Sequence, residues 1–458
     1  MVLVLALLGA GALALPFGLY QWRAWQADRA LADALAETDG LEPAGWRWHD
    51  LQAQRQAIPD ERNSAVRVVH AHATLPKNWI PNIVPAGANP PAAPASLWTV
   101  VADLPADVPL DDAVAQALAA ALDRLPVPLA QARSLSDLDE GRYPLIMTVD
   151  FVSMRLDDIQ NARNVATLLR LDAARHTHEG RPDAALASCV AVVNTGRSMG
   201  DEPIGLVQLV RCACLGMALK SIERALAQGA ASEAGLLRLQ QLLERCAAEV
   251  PALILATMRG ERACMHQCME AVKSGRINGA GLLGGPTSAP SRVEDLILAQ
   301  RARAEHAEFL RLLNLHVAAA KLPLAEQAVE FERLKPRARE TGILPGLLLA
   351  ATDKLQSAQV RTLAQLRCGA AALAVERYRS KHGKWPETLA AAYDGDSVPQ
   401  DPFSDGSLAY RRTDTGVLIY SAGLDGQDNG GTAAKNAALP GTDLVFQLWD
   451  VAKRRKEK

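Results

Sequence analysis

Gly180-Arg181-Pro182-Asp183-Ala184-Ala185-Leu186 decides how this chain is read, because it is a clean break between two long stretches of helical periodicity. From Asp157 to Val272 apolar residues recur at three- and four-residue spacings, the signature of helices that each bury one face. The pattern is interrupted at Gly180 to Pro182, Gly200 to Pro203, Gly229 to Ser232, and Pro251, residue types that end helices. The spacing predicts a run of antiparallel helices. Composition agrees: Ala and Leu dominate and aromatics are only 4% of the chain, which favours packed helices over sheet.

The Gly180 to Leu186 break is also similar to the turn of a tetratricopeptide-like helix pair, in which a tight loop lets two helices pack face to face, although no strict period repeats. Outward to the N-terminus, Leu51 to Ile58 predicts a short helix, and the proline-rich stretch from Pro76 to Pro94 predicts a surface arm. Trp25 to Thr38 reads as helix stopped by Gly40 and Pro43. Val2 to Trp22 carries no charge, and a helix of that length rises about 30 Å, the thickness of a bilayer's hydrocarbon core. Tyr20, Trp22 and Trp25 follow where an aromatic belt would meet the headgroups. The expectation is an N-terminal transmembrane anchor rather than a cleaved signal peptide, since no Lys or Arg precedes Val2. Arg23 and Arg29, taken alone, favour a cytoplasmic body.

Outward to the C-terminus, a glycine-rich bridge at 274–291 leads to helices over Val293 to Leu322 and Pro323 to Glu340, the second kinked at Pro336. Leu347 to Ser380 predicts one long helix interrupted only by Gly369 and ended by Gly383. Leu408 to Arg412 and Val417 to Ser421 flank Asp414-Thr415-Gly416 as a β-hairpin, and Leu444 to Leu448 supplies a third strand. A long helix followed by a small antiparallel sheet makes an α+β end to a mainly α chain.

Four stretches occur in order there: Tyr378 with Gly383-Lys384-Trp385-Pro386, then Asp401-Pro402-Phe403, then Tyr420-Ser421-Ala422-Gly423-Leu424-Asp425-Gly426, and Thr442-Asp443-Leu444. Together they resemble the globular domain of the major pseudopilin of type II secretion systems. The resemblance implies a calcium loop in which Asp425, Asp428, Asn429 and Asp443 supply oxygens to a hard cation. It further implies that the body is extracytoplasmic, where calcium is abundant, against the two arginines. The chain as a whole is similar to membrane-anchored, planctomycete-like bacterial proteins. It departs from a pseudopilin in that a helical body separates the hydrophobic segment from the module, and no Gly-Phe-Thr-x-x-x-Glu processing site is present. The expected organisation is therefore an anchor at 1–25, a mixed helical and loop region at 26–156, a helical body at 157–345, a pseudopilin-like domain at 346–450 and a basic tail at 451–458.

The chain's 458 residues are enough for two or three domains. With 49 basic and 51 acidic residues there is no global field to attract nucleic acid. Seven scattered cysteines read as buried small hydrophobes rather than a disulfide framework. Cys264 and Cys268 share a helix face, but a zinc site needs two further ligands, and Cys246 is the nearest candidate in sequence. His70 and His72 would share a strand face, and His176 and His178 sit near a helix end beside Glu179. No Gly-x-Ser-x-Gly elbow, His-Glu-x-x-His motif or Walker-type phosphate loop occurs. No catalytic set is assigned. The expectation is a non-enzymatic envelope scaffold or partner-binding protein, and the alternative is a membrane-anchored hydrolase built around His176, His178 or Cys264.

Overall fold

The computed structural model describes residues 2–83, 95–145, 148, 154, 156–278, 292–393, 398–433 and 441–455, with side chains from Gly18 onward in the first helix. Helix prevails, as the composition requires. In chain order come α1 (Val2–Leu41), α2 (Trp48–Ala53), α3 (Ser64–Ala73), α4 (Leu97–Asp103), α5 (Asp112–Asp123) and α6 (Pro126–Arg133). They are followed by α7 (Asp157–His178), α8 (Pro182–Arg197), α9 (Gly205–Gln228) and α10 (Glu233–Lys273). The last three are α11 (Arg292–Ala320), α12 (Leu324–Thr341) and α13 (Ile343–His382). A two-residue pair, β1 (Asn82–Ile83) and β2 (Ala95–Ser96), flanks the part of the proline-rich arm that lies outside the described residues. The strands β3 (Ala409–Thr413), β4 (Gly416–Ser421) and β5 (Leu444–Trp449) form an antiparallel sheet in that order.

The breaks at Gly180, Gly200 and Gly229 fall where the periodicity put them, but Pro251 does not end a helix. It lies inside α10. Proline removes one hydrogen bond from a helix interior, yet Val250, Leu253 and Ile254 around it are buried, and that burial keeps the segment helical. Pro336 likewise lies inside α12. The second correction concerns His70 and His72. They stand on the helix α3, capped by the Asn63 side chain accepting from the Ala65 amide, so residues two apart point in different directions instead of sharing a strand face. Most of the bridge at 274–291 lies outside the described residues.

The chain divides into two compact units, each assembled from separated segments. The first comprises Met1–Gln56, Leu145–Arg155 and Leu255–Lys354. Within it α1 and α11 run parallel: Arg303 pairs with Asp28 at 3.1 Å, Arg311 with Glu37 at 2.9 Å, and Asn314 donates to Thr38 at 2.8 Å, so both helices ascend together. Leu31 and Ala34 pack against Ala307, Leu310 and the fully buried Trp46. Arg262 lies over the Trp46 ring at 5.3 Å and pairs with the buried Glu42 at 2.9 Å.

The second unit comprises Ala57–Pro144, Leu156–Ile254 and Leu355–Lys458. Its centre is α7, α8 and α9, packed on one another, with α3, α5 and α6 against α7. The fully buried Asp172 accepts hydrogen bonds from Arg133 Nε at 2.8 Å and Ser188 Oγ at 2.7 Å, so its charge is neutralised where it lies. Gly369, the interruption read in α13, has a packing cause: a Cβ there would sit 2.5 Å from Leu219 Cδ2 and 3.2 Å from Leu243 Cδ1. Gly416 begins β4 at φ +150°, where a Cβ would meet the Leu448 carbonyl oxygen at 2.0 Å.

Three polar clips close the C-terminal end of this unit. Asp401 accepts from Ser421 Oγ at 2.7 Å, the Ala422 amide at 2.8 Å and the Phe403 amide at 3.0 Å, which fixes the Asp-Pro-Phe turn to the end of β4. Trp385 donates to Asp450 at 2.6 Å. Glu376, only 1% exposed, lies between Arg379 at 2.7 Å and Arg454 at 2.8 Å. Arg454 also donates to the Gly229 carbonyl at 2.8 Å, so the start of the basic tail is part of the packed structure.

Candidate functional site

Of the four residues of the expected calcium loop, Asn429 links Asp425 and Asp443, and all three carboxylates are engaged by backbone amides. Asp425 accepts from the amides of Gln427 at 3.1 Å and Gly441 at 2.7 Å and from Asn429 Nδ2 at 3.3 Å. Those two amides hold its carboxyl below the usual carboxylate range. Asp443, buried at 2% exposure, accepts from the amides of Asn429 at 3.2 Å, Gly431 at 2.7 Å and Thr432 at 3.1 Å. Asp428 accepts from the Gly430 amide at 2.8 Å. The carboxylates thus order the loop by gathering its amides. The donors are hard oxygens of the kind calcium takes, and Asp425 Oδ2 and Asp443 Oδ2 each already accept two hydrogen bonds. Among the described residues no group of three or more His, Cys, Asp or Glu converges as a metal site would require. Residues 434–440 of this loop lie outside the described residues.

His176, one of the histidines singled out in the sequence, is a structural neighbour of the buried Asp172. His176 places Nε2 3.5 Å from Asp172 and 3.2 Å from Arg133 Nη2, and burial lowers its pKa. Burial also lowers that of His178. Cys264 and Cys268 are buried. His266, between them in sequence, joins a chain that periodicity did not reveal: its Nδ1 is 3.0 Å from His306 Nε2, and His306 Nδ1 is 3.4 Å from Glu270. The Trp46 ring meets His266 edge-on at 5.1 Å. Burial, with His306 alongside, pushes His266 down to about 4, and the bonds from His306 and Lys273 hold Glu270 at about 2. The residues His306 and Glu270 are 40 and 4 positions from His266, so only folding could associate all three.

The second unit also contains a lined cavity that sequence reading missed. A space of about 550 Å³ opens between α9, α13 and β5 and is joined in its lining to a smaller one of about 190 Å³ between α4, α7 and α9. Arg170 from α7 and Lys220 and Glu223 from α9 line both. Glu223 accepts from the Gln447 amide at 2.9 Å, and surrounding protein pushes its carboxyl up to about 7. The Arg170 guanidinium lies over the Trp98 ring at 4.5 Å, and burial pulls its pKa down to about 10. Arg224 serves the wall: it donates to the carbonyls of Pro105 at 3.1 Å and Val108 at 2.8 Å. The available signal was charged residues set within an apolar helix. Among the described residues, α9 alone is long and apolar enough to cross a membrane, and 61% of its apolar window is buried in the protein.

No family model, no curated protein and no solved structure matches this chain.

Proposed function

We propose that this protein is a membrane-tethered scaffold or partner-binding protein of the cell envelope rather than an enzyme. Its anchor would be the uncharged half of α1, its body the helical hairpins of tetratricopeptide-like type, and its end a pseudopilin-like module that takes up calcium. One observation carries the tether. Leu19, Tyr20, Trp22 and Trp25 on α1 are all exposed, as are Val293, Leu296 and Ile297 in the first turns of α11. Gln300 hydrogen-bonds Tyr20, and the two helices run parallel, so the exposed turns of α11 lie toward the uncharged half of α1. Water disfavours such a collar of large apolar and aromatic side chains, whereas a headgroup region accepts it. The surroundings of the alternative's residues favour the scaffold: His176 is engaged by Asp172 and Arg133, and Cys264 is buried.

Fractionation of cells expressing the full chain tests the tether. The protein should remain with membranes after a high-salt wash and leave with detergent; release by salt alone would refute an inserted helix. A compartment-sensitive reporter fused after Lys458 reads the side on which the body lies, and a cytoplasmic signal would overturn the envelope placement.

A further inference from the structure

We propose that the paired cavities between α7, α9 and β5 bind a small amphiphilic anion, with its charged head on Arg170 and Lys220 and its apolar body along α9 and β5. The argument begins with a missing counter-charge. Arg133, Arg197, Arg211 and Arg454 in the same unit each hold a carboxylate. Among the described residues no carboxylate lies within ion-pair distance of Arg170: its guanidinium lies on the face of Trp98, and Asp103 acts on it only from farther away. A guanidinium stacked on a ring keeps its N–H donors directed sideways, in the fork that matches a carboxylate or phosphate. Burial without an anion disfavours its charge, and a bound anion would relieve that cost.

The cavity decides what the rest of the ligand is. Its wall carries Met217, Leu219, Val445 and Phe446 beside Arg170 and Lys220, so an apolar body is accommodated next to the cationic end. Glu223 lines the same space, with the Gln447 amide already on one oxygen. The smaller space is lined by Arg170, Lys220 and Arg224 against Glu223, a net positive set that selects an anion over a cation or a neutral molecule, while Asp443, which lines the larger space, already accepts from three backbone amides. A volume of about 550 Å³ falls in the range of small-molecule sites. The inference does not depend on the tether or on calcium.

The test uses the full chain in nanodiscs of zwitterionic lipid, titrated calorimetrically with octanoate, octyl phosphate and octanamide, with empty nanodiscs as the blank. Saturable binding of either anion at least tenfold tighter than the neutral amide is the expected result, and the two anions distinguish a carboxylate from a phosphate head. Arg170→Gln should erase that preference, and Arg170→Lys should retain part of it. Circular dichroism and melting of both variants report whether the fold is intact. Equal binding of octanoate and octanamide, no saturable binding of either anion, or undiminished anion binding by a folded Arg170→Gln protein would each overturn the proposal.

Discussion

Glu376 and Glu223 are carboxylates among the helices of one compact unit, and they are held in opposite ways. Glu376 brings its counter-charges with it, two guanidiniums at 2.7 and 2.8 Å, and has almost no exposed surface. Glu223 has one backbone amide at 2.9 Å and faces a cavity. A charge buried to hold a fold is neutralised by the fold itself, because an isolated one costs several kcal/mol. The cavity charges are left short of partners, which is the condition for binding something else. The contrast separates residues that fasten this protein from residues available to a ligand.

The largest effect should come from breaking the fastened side. Glu376→Ala strands Arg379 and Arg454 in a buried site, and we expect it to destabilise the full chain by about 3–5 kcal/mol in chemical denaturation. The double variant Glu376→Met with Arg454→Met should recover much of that loss, since apolar replacement of both partners removes the uncompensated charge. Equal destabilisation by the single and the double variants would mean that the pair does not act through its charge.

The next effect sharpens the contrast through pH. Glu223 stands near 7 in the folded protein against an ordinary value of 4.5, so between those values the unfolded chain releases its proton first and stability falls as pH rises. Glu223→Gln keeps the acceptor for the Gln447 amide and should remove a slope worth roughly 1–3 kcal/mol over that window. His266 works in the other direction. Its folded value near 4 lies below the ordinary 6.5, so the unfolded chain takes up the proton first and stability falls as pH drops through that range. Replacing His266 with Gln should flatten the acid side by a similar amount. Denaturation midpoints of both variants from pH 4 to pH 8 check the signs, and slopes of the same sign would show that one environment has been misread.

Helices were legible because a buried helical face repeats locally: the stops at Gly180, Gly200 and Gly229 needed only neighbouring residues. Gly383, and the hairpin Ala409–Thr413 with Gly416–Ser421, were equally local. Pro251 misled because a local rule met tertiary burial and lost, and His70 with His72 misled because the Asn63 cap starts a helix where a strand was expected. The pairs that carry the polar structure are long-range: Glu376 with Arg454, His266 with His306, and Glu223 with Gln447 are each made by folding. The acidic loop stands between these cases. Its residues are close enough in sequence to be grouped, but the amides that occupy their oxygens cannot be read from composition.

The smallest effect belongs to that loop and asks on which side of the contrast it falls. Asp443 gathers three amides from a buried position, whereas Asp425 stands at the surface with a similar set of donors. If the loop takes up calcium, the full chain should melt a few degrees higher with millimolar calcium than with chelator, because a ligand that binds only the folded state stabilises it. Asp425→Asn should cancel that rise with little change in the calcium-free melting temperature. Asp443→Asn should lower the calcium-free melting temperature as well, since its buried oxygens hold the backbone together whether or not an ion is present. Identical curves with calcium and chelator in the unaltered chain would place the whole loop with Glu376, as a set of charges satisfied by the protein that carries them.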